Sequence, residues 1–185
     1  MRLIVAITGA SGVIYGKRLL QILGEKGVET HLIISKAAEK VIEHELEVTK
    51  KDIKKLASYA YEINDWNAPI ISGSFKTSGM IVIPCSMKTL AGIVHGYSDN
   101  LILRSADVIL KEKRRLIVVP RETPLSTIHL SNMIELARQG AIVVPAMPAY
   151  YHKPEKIDDL VAFVVGKVLD LLEVEHSLYR RWKED

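Results

Sequence analysis

The sequence has a single cysteine, Cys85. That excludes an internal disulfide framework and any zinc site built on paired cysteines. Its six histidines show no spacing such as HxxxH, so no metal is expected. Aromatic residues make up only 6%, and 25 basic side chains are scattered among 22 acidic ones for a net charge of +3. No aromatic-interleaved basic stripe is present, so nucleic acid is not an expected partner. No run reaches the length of an uncharged membrane span, which removes the membrane as an expected partner. Arg2 and the short apolar run after it do not read as a secretory signal. Linkers, repeats and low-complexity segments are missing as well. These absences give the expectation of a soluble cytoplasmic protein. Few Gln and Asn beside many Lys, Glu and Ile fit a heat-adapted source.

What is present is enough for one domain with a sizeable core: 185 residues, 48% hydrophobic and 25% charged. The chain is organised around LIVAITGASGVIYG, residues 3–16. Leu3 to Ile7 is a short Ile- and Val-rich run, read as a buried parallel strand. Thr8-Gly9-Ala10-Ser11-Gly12 leaves no room for a long loop, and an amphipathic helical pattern begins at Val13. Strand, small-residue turn and helix is the layout of a mononucleotide site, where backbone and helix-start amides can approach a phosphate. The spacing GxxGxxxG is not the dinucleotide GxGxxG, so this motif alone does not name the ligand, and a tight turn with no ligand stays open.

Alternation of strand and helix continues along the chain. Residues 29–34 form a second strand, with Ser35 placed to cap the helix from Lys36 to about Glu47. A short polar helix at about 51–57 leads into a less regular region, residues 59–78. Three β-branched runs then meet proline: residues 80–83 before Pro84, 116–119 before Pro120, and 141–144 before Pro145. Each reads as a buried strand cut off by the proline. The loops after them are CSMKT, RETPLS and AMPAYYHKP. In an open parallel sheet, ligands bind outside the carboxyl ends of the strands. These loops, the GASG turn and Ser35 are therefore expected on one edge. The last helix, about 157–174, is apolar over most of its circumference, and a subunit interface is the expected second partner. The tail that follows is either frayed or docked on a neighbour.

The loops hold Lys88, Arg121, Glu122, Tyr151, His152 and Lys153, and the helices add Arg104, Lys111 and Lys167. Convergent Arg, Lys and Tyr suit phosphate, although each alone also reads as a solvated surface group. Lys167 stands inside an apolar helix, where it either serves a site or snorkels. Ser86 and Thr89 either bind phosphate or cap a helix. Cys85 reads as buried packing rather than as a nucleophile. Glu122, between Arg121 and a proline turn, is a candidate acid/base group; Glu45 by itself reads as a surface helix residue. Trp66 and Trp182 either fill space or wall a planar ring.

Taken together, GASGxxYG, SKAA, SGSF-x-T, PCS-x-KTLAGI, ADV-x-LKE, RETPL and PA-x-YH-x-P resemble the flavin prenyltransferase (UbiX) family. The blocks stand in family order over roughly residues 3–175. The resemblance implies an α/β, single-domain, Rossmann or flavodoxin-like three-layer sandwich with a mostly parallel sheet. The flavoprotein domain would be 1–175 and the tail 176–185, docked on a neighbouring subunit. It implies transfer of a dimethylallyl group from dimethylallyl phosphate to N5 and C6 of reduced FMN. The product, prenylated FMN, passes to a UbiD-type decarboxylase, so the chain would not itself decarboxylate. Gly9, Ala10, Ser11, Ser35, Ser86, Met87, Lys88, Thr89 and Arg121 match flavin-contacting positions. Lys111, Arg121, Tyr151 and Lys167 match residues around the prenyl phosphate, with lysine at 167 where relatives also carry arginine. Glu122, Lys111, Glu45 and Ser11 are the catalytic candidates, and Trp66 and Trp182 the aromatic ones. A metal-free homo-oligomer, a dodecamer with shared sites, is implied.

Other readings compete. A short-chain nicotinamide reductase would need its YxxxK pair, which occurs only as Tyr179 to Lys183, and an acidic residue where Ser35-Lys36 stands. A peptidyl-cysteine decarboxylase-like flavoprotein shares the general fold but not the RETPL and PA-x-YH-x-P blocks. A carrier that binds FMN without alkylating it is the non-enzymatic alternative.

Overall fold

A computed structural model describes residues 1–183; residues 184 and 185 of the expected tail lie outside the described residues. Strands form at the anticipated runs, although the run 141–144 yields only a half-buried pair of residues. In chain order they are β1 (Arg2–Ile7), β2 (Glu29–Ile34), β3 (Tyr59–Tyr61), β4 (Gly79–Cys85), β5 (Arg115–Pro120) and β6 (Ile142–Val143). Between them lie α1 (Val13–Glu25), α2 (Lys36–Leu46), α3 (Lys50–Lys54), α4 (Met87–Val94), α5 (Leu101–Lys111) and α6 (Thr127–Arg138); α7 (Ile157–Leu171) follows. The six strands make one sheet in the order β3-β2-β1-β4-β5-β6, every pair parallel.

Parallel strands must be covered on both faces, and the side chains alternate accordingly. Ile4, Ala6, Met80, Val82, Leu116 and Val118 share a core with Leu90 and Ile93 of α4 and Leu103, Ala106 and Ile109 of α5. On the opposite face α1 packs on β1, β2 and β4 and against α2, with Leu19, Leu20 and Leu23 fully buried. The fold is the flavodoxin-like α/β sandwich, with an all-parallel sheet.

Two differences from the sequence expectation have physical causes. The run 80–83 does not stop before proline: β4 continues through Pro84 to Cys85, and its pairing with β5 shifts register between Val82 and Cys85. Proline offers no N–H to the ladder, so the shift falls where the donor is missing. β3 lies in the region read as irregular. It is an edge strand with no apolar run to announce it. Side-chain chemistry holds it instead: the Tyr59 and Tyr61 rings stack on buried His31 at 4.9 and 5.8 Å, and the Tyr61 hydroxyl lies 2.8 Å from His31 Nδ1.

The chain divides into two compact units, Met1–Pro145 with the whole sheet and a second beginning at Ala146. In the second unit, α7 ends where Glu173 turns left-handed at φ 59, a little before the expected boundary. Val161 to Gly166, Val168 and Leu169 are all buried within a single chain. Ile157, at the start of the same helix, is 74% exposed. The described part of the tail contacts its own chain at Asp170 (below). No helix among the described residues is long and apolar enough to cross a membrane.

Ser105 in α5 is fully buried, and its hydroxyl has no hydrogen-bond partner among the described residues. Ser105→Ala removes an unsatisfied polar atom and is expected to raise stability by about 1 kcal/mol. For a chain of this size that is roughly 2–4 °C in Tm, read by calorimetry.

Candidate functional site

The strand order places a switch point between β1 and β4, because the chain leaves β1 toward one edge of the sheet and β4 toward the other. Such a point opens a crevice at the carboxyl ends. Thr8, fully buried, stitches the crevice floor. Its hydroxyl donates to the Pro84 carbonyl at 2.8 Å and accepts from the Ser86 amide at 2.8 Å, while its own N–H donates to the same carbonyl at 3.2 Å. The end of β1 thereby fixes where α4 begins.

Three helices start at this edge. Ser35 caps α2 by accepting from the Ala38 amide at 3.1 Å. Ser86 caps α4 by accepting from Thr89 at 3.4 Å, and its hydroxyl donates to Thr89 Oγ1 at 3.1 Å. Asn100 caps α5 by accepting from Leu103 at 3.1 Å. All three caps line one cavity of about 370 Å³, within the range of small-molecule sites. Lys36, Lys88 and Thr89 add polar groups to its wall, while Ile63, Ile102 and Leu103 supply an apolar side. Gly9 lines it too, and a Cβ there would come 2.4 Å from the Cβ of Ala37. The turn after β1 and the start of α2 therefore form a cradle too tight for a side chain. Positive helix ends and lysines suit a phosphate, and the apolar side suits a flat ring. FMN fits this division of polarity.

Arg121 closes the edge from the β5 side. Its amide donates to the Cys85 carbonyl at 3.3 Å, and Nε donates to the Ser11 carbonyl at 3.2 Å. Glu122 beside it is exposed, and its Oε1 accepts from the Thr123 amide at 3.1 Å. Ser11 is exposed, whereas Ala10 and Met87 are buried. Cys85 is fully buried, and burial pushes its thiol far above the usual range, so it packs and does not react at neutral pH.

Glu45 is more than a surface helix residue. It lies in the last turn of α2, yet its Oε2 accepts from the amides of Gly12 at 2.9 Å and Val13 at 3.3 Å. Gly12 stands at φ 97 and caps α1 with no side chain. The carboxylate of a distant helix fills the role, beside Ser11.

Other candidates are not gathered at the cavity by this unit alone. Lys111 is the last residue of α5, whose first turn lines the cavity, so it stands toward the amino ends of the strands, the opposite edge. Its ammonium lies 3.7 Å from Glu112. Trp66 is 46% exposed and follows Asn64, a lining residue, by two positions. Arg104 donates to the Ile71 carbonyl at 3.2 Å and pairs with Asp107. Tyr151, Lys167 and Trp182 all belong to the second unit. There Tyr151 meets Trp182 edge-on at 5.3 Å, and Lys167 lies 3.6 Å from Asp170. His152 stacks on Phe163 at 5.3 Å.

Reading the sequence for chemistry missed Thr8 and Asn100. Asn100 carried a usable signal, a capping residue directly before an apolar helical run. Thr8 carried none, because its partners lie 76 and 78 residues away.

Residues 1–169 match the Flavoprotein family, the class to which this fold and its helix-capped cavity point. Among known proteins, the chain is 53% identical over 182 residues to the flavin prenyltransferase UbiX of Methanocaldococcus jannaschii, covering 98% of both. The crystal structure of a dodecameric FMN-dependent Ubix-like decarboxylase from Escherichia coli O157:H7 superposes with a TM-score of 0.97 at 55% identity, over 100% of each chain. AnUbiX (PadA1), in complex with FMN and dimethylallyl pyrophosphate, gives a TM-score of 0.97 at 50% identity, over 99% of this chain and 97% of that one. The chain belongs to the UbiX flavin prenyltransferase family.

Thr8→Val keeps the shape and deletes both side-chain hydrogen bonds. We expect a loss of about 2 kcal/mol in urea unfolding, together with a roughly tenfold weaker FMN affinity by flavin fluorescence titration. Unchanged affinity would mean that the α4 start is held by something other than Thr8.

Proposed function

We propose that this chain transfers a dimethylallyl group from a dimethylallyl phosphate donor to N5 and C6 of reduced FMN, releasing prenylated FMN for a UbiD-type decarboxylase. The observation that carries the proposal is the cavity at the β1/β4 switch point, where three helix N-termini and Lys88 oppose an apolar wall. The family relationship gives that cavity its ligand. FMN supplies the nucleophilic ring atoms that the protein lacks; the side chains bind, orient and move protons.

Ser35, Lys88 and the Thr89 hydroxyl, which accepts from Ser86, hold the FMN phosphate; the Ser35 oxygen accepts from Ala38 while its hydroxyl donates to the phosphate. Arg121, tied to the Ser11 carbonyl through Nε, spends one donor on the protein and keeps its terminal nitrogens for anion binding. Breaking an allylic C–O bond requires stabilisation of the departing phosphate. Arg121, Lys111, Lys167 and the Tyr151 hydroxyl supply it without a metal. Glu122, exposed at the same edge as Arg121, exchanges the proton lost at ring closure. Glu45, fixed against the amides after Ser11, orients the Ser11 hydroxyl. Trp66 and Trp182 are the candidates for the π-rich surroundings that carbocation character needs.

Lys111 serves the cavity of a neighbouring copy, since α5 separates it from its own. Oligomerisation is supported by α6, which leaves Ile128, Leu130 and Ile134 exposed at 69%, 46% and 55%. A dodecamer like that of the Escherichia coli relative is the expected assembly.

Anaerobic incubation with reduced FMN and dimethylallyl phosphate, or the pyrophosphate, followed by mass spectrometry should give a flavin heavier by one prenyl unit. Bound but unmodified FMN with both donors would favour a carrier or a peptidyl-cysteine decarboxylase. Shared sites are tested by co-expressing Lys111→Ala with Glu122→Ala. Each alone is expected to be inactive, and the mixed oligomer to recover roughly a quarter of wild-type turnover, the statistical share of sites built from two intact contributions. No recovery would place both side chains in one subunit's site.

A further inference from the structure

The second unit contains a charged knot whose central carboxylate, Asp170, has no part in the proposed reaction. Asp170 lies at the end of α7, and its carboxylate is 20% exposed. The Tyr179 hydroxyl donates to Oδ2 at 2.6 Å. Arg181 donates to Oδ1 at 2.6 Å through Nη2 and to Oδ2 at 3.3 Å through Nη1, a bidentate pair. His176 Nε2 lies 3.1 Å from Oδ1, and Lys167 Nζ lies 3.6 Å from Oδ2. Burial by itself would raise the Asp170 pKa, but the hydrogen bonds from Arg181 and Tyr179 outweigh it and hold the group well below the usual carboxylate range.

One turn earlier, α7 has Gly166. A Cβ at this position would come 2.5 Å from the Tyr179 ring and 2.9 Å from the His176 ring. Positions 166 and 170 share a helix face. That face thus offers a gap for the two rings and an anion for the hydroxyl and guanidinium, which together seat the hook from His176 to Arg181. The Tyr179 ring rests on Phe163 at 4.8 Å. Arg181 is followed directly by Trp182, the residue that meets Tyr151.

We propose that Asp170 is a positioning residue for the prenyl-donor site: by seating the hook it fixes Trp182 against Tyr151, and it steadies Lys167 on the same end of α7. The proposal rests on the assignment of Tyr151, Lys167 and Trp182 to the donor. Asp170 need not touch the donor itself. Its pairing with Lys167 is the loosest of its contacts, so a phosphate can take the ammonium while Arg181 and Tyr179 keep the carboxylate satisfied.

The test is Asp170→Ala in the full-length assembled protein. The KM for dimethylallyl phosphate is expected to rise about tenfold while the FMN dissociation constant stays within roughly twofold. In a Trp66→Phe background, where Trp182 is the one tryptophan, acrylamide quenching should increase. Tyr179→Phe combined with Arg181→Ala leaves α7 untouched and should reproduce both effects, which keeps the test decisive if Asp170→Ala does not assemble. An unchanged donor KM, unchanged quenching, or an equal loss of FMN binding would overturn the proposal. If the wild-type protein itself makes no prenylated flavin, the functional reading fails along with the donor-site role. Normal wild-type turnover with an unaltered variant KM overturns the Asp170 role alone.

Discussion

The hydroxyl of Thr8 is the contact on which the site depends. A parallel sheet has no hairpins to hold its strand ends in step, and β1 and β4 diverge in connectivity where a ligand must bind. Thr8 spans that divergence with one donor and one acceptor, both buried and both used. Its acceptor role is what gives the Ser86 amide a partner, so the start of α4 is set by β1 rather than by its own strand alone. Proline at 84 belongs to the same arrangement. It breaks the ladder to β5, and its carbonyl turns to Thr8 instead.

Around that stitch, helix ends and lysines set the electrostatics. Three helices begin at one cavity, each with its first amides partly unsatisfied apart from a single cap. The field favours a phosphate without a divalent cation, and the lysines on the wall reinforce it. The α1 end is handled differently. Its first amides are occupied by Glu45, so this helix is electrically quenched and its turn is left to position Ser11 and Arg121. Two kinds of helix start thus sit side by side, three capped by their own preceding residue and one by the carboxylate of another helix.

Much of this was legible in the chain because it is local. The runs 3–7, 29–34 and 116–119 announce buried strands, and the small residues after Ile7 announce a close backbone approach. Ser35 and Ser86 announce helix starts. The remainder depends on contacts between residues far apart in sequence. β3 is held by the rings around His31 rather than by apolar alternation. Glu45 resembles any exposed glutamate until α2 folds back on α1. The apolar circumference of α7 suggested a neighbour; most of that helix is buried, and exposed apolar side chains stand on α6 and at the start of α7. The tail gave basic and aromatic residues without an address, since the address is one carboxylate and one missing side chain on α7.

Helix α5 begins at a cavity and ends, eleven residues on, at the far edge of the sheet. If, as proposed, its first turn serves its own chain and Lys111 serves another, the helix is a strut between two sites. Contacts of that kind run head to tail. They close into a finite object or extend without limit. On the proposed assignment closure becomes part of the catalytic geometry: an open fragment would have a terminal cavity with no lysine delivered to it and a terminal lysine with no cavity to enter. Specific activity would then depend on how many edges the assembly leaves unpaired, and a cage, which leaves none, would put every copy of the chain to use.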